Sequence, residues 1–245
     1  MVSTEIEYIV NAICTVIMFL SFIILFFVSY RLLKHKNRSY IETSFGWALV
    51  LAAVASLEGA IVRSFYVIFT SGPLINTWKL ASFVYFIFMS ISLTLVLTVA
   101  LGILGGRKYF LFGFLSVVAT FPISYGTWFI EGAVTSESGF ADINATLEGA
   151  ILVYGILGLQ IIINAVLYYY IHSKTKNKGS LYIVYGMVVI ALSAVVGGIS
   201  DMLGDLGRFF DPLSYIGILI GLYCILTAVE ILNHDFSRFL PYFAK

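Results

Sequence analysis

Six polar side chains lie within or just beyond long apolar runs and are the residues best suited to bind a ligand or carry a charge: Glu58, Arg63, Gln160, Asn164, Asp201 and Asp205. A charged side chain inside a membrane-spanning segment is costly and by default indicates function. Glu58 falls near the middle of its run, and Arg63 follows five residues later. Five residues turn a helix by about 500°, so the two side chains point about 140° apart and cannot pair. We therefore predict that Glu58 faces the interior of a helix bundle, with a polar partner or water.

The apolar run that ends near residue 203 offers a partner for Arg63. Its small and charged residues follow one another at spacings of four, four, four and three, which places them on one helical face: Ser193, Gly197, Asp201, Asp205 and Arg208. Two carboxylates four residues apart repel each other unless a cation lies between them, and Asp201 falls at about the depth of Arg63. The sequence predicts that Arg63 contacts Asp201 or shares a ligand with it. Such a pair either gates the outer mouth of a cavity or only fixes helix packing.

Uncharged polar residues form a second set of candidates. Gln160 and Asn164 are four apart on one helical face at mid-depth, and an earlier run holds four hydroxyl side chains: Ser90, Ser92, Thr94 and Thr98. Two readings stay open. These groups either form hydrogen bonds between helices or line a moderately polar cavity that opens outward.

Several reaction chemistries lack the residues that they need. The three histidines, His35, His172 and His234, stand at the ends of apolar runs, whereas a haem site needs histidines at membrane depth. No cluster has the spacing of zinc ligands, and no phosphate-binding motif is present. The last run has no lysine to hold a retinal. We therefore expect no enzyme, no catalytic residue, no metal and no cofactor.

Seven apolar runs are long enough to cross a bilayer, which takes about 20 residues. They cover roughly residues 8–32, 44–69, 79–104, 109–130, 149–172, 181–203 and 213–233. The chain of 245 residues is 60% hydrophobic and 11% charged, whereas a soluble domain carries about 25% charge. A soluble or disordered protein is thus excluded. We predict an all-α polytopic membrane protein, with residues 1–245 forming a single seven-helix transmembrane bundle.

Positive charge predicts the orientation of the bundle, because cytoplasmic loops carry an excess of Lys and Arg. Eleven of the 14 basic residues fall at the ends of the runs that face one side: Arg31, Lys34, Lys36, Arg38, Arg107, Lys108, Lys174, Lys176, Lys178, Arg238 and Lys245. We expect that side to be cytoplasmic, with the N-terminus outside and the C-terminus inside the cell membrane. The longest loop, Glu131 to Glu148, would then lie outside and present Asn144 as a glycosylation acceptor.

Small residues four apart predict where helices approach each other closely, since apolar contact alone gains little in lipid. Gly217 and Gly221 have this spacing in the last run, and Ser193 and Gly197 have it in the run before. We interpret these pairs as packing surfaces within the bundle. A homo-oligomer formed through such a face is the alternative.

Several short segments together resemble a known family. A basic cluster from Arg31 to Arg38 ends the first run, Trp47 and Glu58 lie in the second, and Asp211-Pro212-Leu213 opens the last, which leads to Asn233-His234-Asp235-Phe236 and Pro241. This pattern resembles the seven-span N-terminal sensor region of prokaryotic histidine kinases and cyclic-dinucleotide enzymes. In that family an output domain follows the proline. Here the sequence ends at Lys245, so the resemblance implies a detached sensor that signals to a separate partner.

The sequence predicts a receptor-like membrane sensor or signalling subunit. It would bind a small ligand, lipid or partner helix between the second, third, sixth and seventh spans and pass the change to a cytoplasmic or membrane partner. Glu58 would lie deep in the cavity, and Arg63 and Asp201 would gate it. The alternatives are a small transporter or ion or proton channel that uses Glu58, and a structural subunit of a larger membrane complex. The net charge of +1 gives no indication of a nucleic-acid partner.

Overall fold

The computed structural model describes residues 4–34, 40–64, 74–105, 133–135, 141–143, 148, 151–203 and 210–235. Long helices account for most of these residues: α1 (Thr4–Lys34), α2 (Tyr40–Ser64), α3 (Leu74–Gly105), α4 (Ile156–Thr175), α5 (Lys178–Leu203) and α6 (Asp211–Asp235). A single π-helical turn, Ile151–Gly155, precedes α4. Two three-residue strands, Ala133–Thr135 and Ala141–Ile143, pair antiparallel and were not anticipated from the sequence.

These helices bear out the prediction of a helical membrane protein. Six helices in the described part of the chain are long and apolar enough to span a bilayer, which indicates a polytopic helical bundle. They match the predicted spans one, two, three, five, six and seven. The predicted fourth span, 109–130, lies outside the described residues, so the count of seven and the orientation stay predictions.

The helices pack in chain order around a ring. Each described helix contacts the helices before and after it, and α6 returns to contact α1. Contacts are extensive within two groups of three, α1–α2–α3 and α4–α5–α6, which we call the first half and the second half. The two halves meet at two thinner seams, one between α3 and α4 and the other between α1 and α6.

Close backbone approach holds α5 against α6 within the second half. A Cβ atom on Gly186 would lie 2.6 Å from the carbonyl oxygen of Gly221, and a Cβ on Gly221 would lie 2.7 Å from that of Gly186. One turn earlier on α6, Gly217 contacts Ser193, whose carbonyl accepts a 2.8 Å hydrogen bond from Ser214. The prediction that small residues form packing surfaces within the bundle is confirmed for this pair of helices.

Similar contacts join α1 to α2 in the first half. Leu33 of α1 fills the space beside Gly46, and Met18 fills the space beside Gly59. Away from such contacts, α1 exposes large apolar side chains in one stripe, with Ile13, Leu20 and Phe27 seven residues apart. An apolar stripe this long is expected on the face of a helix that lipid covers.

Candidate functional site

The structure brings together two of the six predicted site residues. Gln160 and Asn164 lie on the face of α4 that packs against α3, and they are 5% and 0% exposed. Glu58 lies on α2. Arg63 and Asp201 belong to α2 and α5, but their side chains lie outside the described set, as do the whole of Asp205 and the predicted glycosylation acceptor Asn144.

Hydrogen bonds from successive turns of α4 join it to α3 along what we call the polar seam. Ser90 Oγ donates to Gln160 Oε1 at 3.1 Å, and Asn164 Nδ2 donates to the carbonyl oxygen of Leu93 at 3.2 Å. One turn further, Tyr168 Oη donates to the carbonyl oxygen of Val96 at 3.1 Å. The described hydrogen bonds of the polar seam thus join the two halves through uncharged groups.

An aromatic pair stands at the other end of the polar seam. The rings of Phe86 on α3 and Tyr154 in the π-helical turn meet edge to face with their centroids 5.7 Å apart. Tyr154 also lies against α5, since a Cβ on Gly198 would be 3.7 Å from its ring. The order of contacts from residue 86 to 96 on α3 and from 154 to 168 on α4 shows that these two helices run parallel.

Within the described part of the chain, two atoms of the polar seam are buried without a hydrogen-bond partner. Gln160 Nε2 is one, and Asn164 Oδ1 is the other. Asn164 uses its Nδ2 group twice, because it also donates to the carbonyl oxygen of Gln160 at 2.9 Å. A buried polar atom without a partner is uncommon, and each such atom calls for an explanation. These two atoms are the clearest chemical feature of the described bundle.

Two of the four hydroxyl side chains of α3 agree with the first reading of the sequence, hydrogen bonds between helices. Ser90 and Ser92 bond to other helices, Ser92 through a 2.8 Å hydrogen bond to the carbonyl oxygen of Ala48 on α2. Thr94 and Thr98 instead donate to carbonyl oxygens one turn earlier on α3 itself. Two of the four are therefore interhelical contacts, and the other two satisfy themselves locally.

Glu58 is partly buried, and its Oε1 atom is fully buried with no hydrogen-bond partner within the described part of the bundle. On the helical wheel it lies about 40° from the exposed Val54 and about 60° from the exposed Ile61. The carboxyl group is therefore close to the edge of the outward face of α2. Its predicted polar partner or water stays a prediction.

The predicted contact between Arg63 and Asp201 also stays a prediction. In the ring, α2 packs against α1 and α3, and α5 packs against α4 and α6. Among the described residues, α2 and α5 therefore share no extensive interface.

The seam between α1 and α6 carries an ion pair at its end. Arg31 Nη1 lies 3.7 Å from Glu230 Oε1, with both side chains about two-thirds exposed. An exposed pair at this distance stabilises a fold by about 1 kcal/mol at most. It is nevertheless a chemical contact between the halves at the end of the bundle where the predicted cytoplasmic residues lie.

Sequence reasoning missed two residues that the structure places in polar contacts. Tyr168 continues the four-residue spacing of Gln160 and Asn164, and that spacing was the signal that would have identified it. Asp211 Oδ1 accepts a 2.6 Å hydrogen bond from Ser200 Oγ, which joins the end of α5 to the start of α6. The sequence predicts Asp211 only as the first residue of its helix.

The polar seam and the division into halves are features of this chain's own structure. Comparison with other proteins adds no relative, because no protein family, curated protein or solved structure matches the chain.

Proposed function

We propose that the chain is a receptor-like membrane sensor or signalling subunit that responds by a shift of its first half against its second half. One observation carries the proposal. Among the described residues, the helices within each half share more extensive contacts than the two halves share with each other, and the halves meet at the thin polar seam and at the seam between α1 and α6. Rigid bodies joined by thin interfaces are the usual basis of a two-state switch.

A ligand shifts such a switch only if it binds one arrangement better than the other. The polar seam is suited to this, since its hydrogen bonds cross from α3 to α4 and would change with any movement between them. The opposite seam carries the exposed pair of Arg31 and Glu230. A partner that contacts the inner ends of α1 and α6 would detect a change there.

The resemblance to sensor regions of prokaryotic histidine kinases forms the second part of the proposal. It implies that the partner is a separate signalling protein on the cytoplasmic face. Purification in mild detergent, followed by identification of the proteins that co-purify, tests this directly. A kinase or a response protein supports the proposal, whereas a respiratory or secretion assembly would instead identify the chain as a structural subunit.

Movement between the two halves can be tested by cross-linking the helices. Arg31→Cys and Glu230→Cys, in a chain whose own Cys14 and Cys224 are replaced, allow a short bifunctional thiol reagent to link α1 to α6. Linking α1 to α6 should abolish the signalling response or hold the partner in one state. The matched control links α5 to α6 at exposed positions within the second half, and it should leave the response intact. Equal effects of the two links would contradict a shift between halves.

A second candidate function is a small proton or ion transporter, and two observations favour it. Glu58 places a carboxyl oxygen in a buried position, where no described residue forms a hydrogen bond to it. The two halves also share an order of three alternating helices, an arrangement found in transporters built from parallel repeats. Proteoliposomes with an internal pH dye test it: Glu58→Gln should abolish a proton flux that the exposed-site control Glu230→Gln retains. No flux in the unsubstituted protein would eliminate this candidate.

A further inference from the structure

The polar seam contains buried polar atoms whose hydrogen bonds the described residues do not supply. The side-chain amides of Gln160 and Asn164 are buried near the middle of α4, and each has one polar atom without a partner among the residues that the structure describes. Lipid offers no hydrogen bonds at that depth, and an amide without its partner is costly there. A native structure meets such a need with an ordered water or a bound ligand.

The missing partner is defined by the atoms that lack it. Asn164 Nδ2 already donates to two carbonyl oxygens, so Oδ1 is the atom left over, and it requires a donor. Ser90 meets only one end of the Gln160 amide, and the other end, Nε2, requires an acceptor. The two residues are one helical turn apart, which is about 6 Å along the axis of α4. One small molecule with a donor and an acceptor can bond to both amides across that distance once the seam opens enough to admit it, because neither atom is accessible to solvent in the closed arrangement.

The charge of the missing partner follows from the residues around it. The side chains that form the hydrogen bonds of the polar seam are Ser90, Gln160, Asn164 and Tyr168, and all are uncharged. Among these described side chains an ion would find no opposite charge to offset the loss of its hydration. A neutral molecule has no such requirement.

We infer that the polar seam binds one small neutral molecule, which accepts a hydrogen bond from Gln160 Nε2 and donates one to Asn164 Oδ1. A water, a small alcohol and a primary amide share this chemistry. The bound molecule lies where the two halves meet, so its partners change when α3 and α4 move. The inference does not depend on the signalling role: the occupancy of the seam tests it, whereas the proteins that co-purify test the role.

An experimental map of the whole protein at a resolution that shows ordered water decides the question. We expect a density peak within about 3.2 Å of both Gln160 Nε2 and Asn164 Oδ1. A peak of single-atom size identifies water, and an elongated peak identifies a small solute; both support the inference. An empty seam, or a seam in which the two amides bond to each other or to other protein groups, overturns it.

Two variants make the test specific. Gln160→Met keeps the length of the side chain and removes the donor, so the peak should disappear. Tyr168→Phe removes a hydrogen bond of the same seam but neither unpartnered atom, so the peak should remain. A peak that persists in Gln160→Met would contradict the assignment. If Gln160→Met does not fold, the map of the unsubstituted protein alone decides the outcome.

Discussion

Single polar side chains connect the halves of this bundle, and Tyr168 allows their contribution to be measured. Its hydroxyl is fully buried and donates to the carbonyl oxygen of Val96, whereas the neighbouring Tyr169 is 59% exposed. Removing one such hydrogen bond costs about 0.5–1.5 kcal/mol. We therefore expect Tyr168→Phe to lower the free energy of unfolding by that amount in detergent titrations. Tyr169→Phe, the control, should have no effect; equal losses would mean that the bond to Val96 contributes nothing.

Glu58 should respond in the opposite direction. A buried polar atom without a partner costs about 1–3 kcal/mol, so Glu58→Met should leave the free energy of unfolding unchanged or raise it. The control is Glu42→Met in the first turn of the same helix. There the carboxylate interacts favourably with the helix dipole, and its loss should cost about 0.3–1 kcal/mol. A clear loss of stability in Glu58→Met would show that the carboxyl has a stabilising partner, and would remove its main claim to a functional role.

Residue types were easier to predict than residue partners. Gln160 and Asn164 were identified as a pair because polar side chains four apart in an apolar run are conspicuous. That they face α3 was not predictable, because the sequence does not state which helix lies beside which. Thr94 and Thr98 illustrate the same limit, since a threonine in a helix bonds equally well to its own backbone.

The α5–α6 pair shows how close packing holds an element in place. Gly186→Ala would put a Cβ atom against the backbone of Gly221, which cannot move aside as a side chain would. We expect a loss of about 1–3 kcal/mol in the free energy of unfolding. Gly158 in α4 is the matched control, because a Cβ there meets no atom within 4 Å. Gly158→Ala should be neutral or gain up to about 1 kcal/mol from helix propensity, and similar results at both sites would contradict the packing argument.

Helix positions followed from hydropathy to within a few residues. The predicted spans 79–104 and 181–203 correspond to α3 and α5, which extend beyond the apolar core at their starts because polar residues continue a helix outside the bilayer. The π-helical turn before α4 was not predicted. Its sequence, Ile151–Gly155, is as apolar as the helix that follows, so no pattern distinguishes one from the other.

The arrangement of the whole bundle was beyond the reach of the sequence. Each helix is apolar around much of its circumference, so the usual contrast between a buried and a polar face is missing. The ring and its two seams depend instead on where small residues allow close approach. One geometric consequence agrees with the predicted fourth span. Because α3 and α4 run parallel, the end of α3 at Gly105 and the start of the π-helical turn at Ile151 lie at opposite ends of the bundle.

The structure also places basic residues from several helices at one end of the ring. The predicted orientation therefore depends on which side of the membrane that end occupies. The ion pair of Arg31 and Glu230 places the ends of α1 and α6 together, and a Cβ on Gly179 would lie 2.9 Å from Leu232, which brings the start of α5 to the same end. The turn between α4 and α5, with the exposed Lys176, is therefore at this end too. Positive charge favours the cytoplasmic side.

Cysteine labelling decides which side that end occupies. In a chain without Cys14 and Cys224, we expect a membrane-impermeant thiol reagent to label Ser138→Cys in intact cells and to label Lys176→Cys only after the membrane is opened. Lys174→Cys, at an exposed position in the last turn of α4, provides a second site beside the same turn and should behave as Lys176→Cys does. Labelling of both lysine positions in intact cells would reverse the bundle. The ion pair of Arg31 and Glu230 would then face outward, and a cytoplasmic partner would have to contact the opposite ends of the helices.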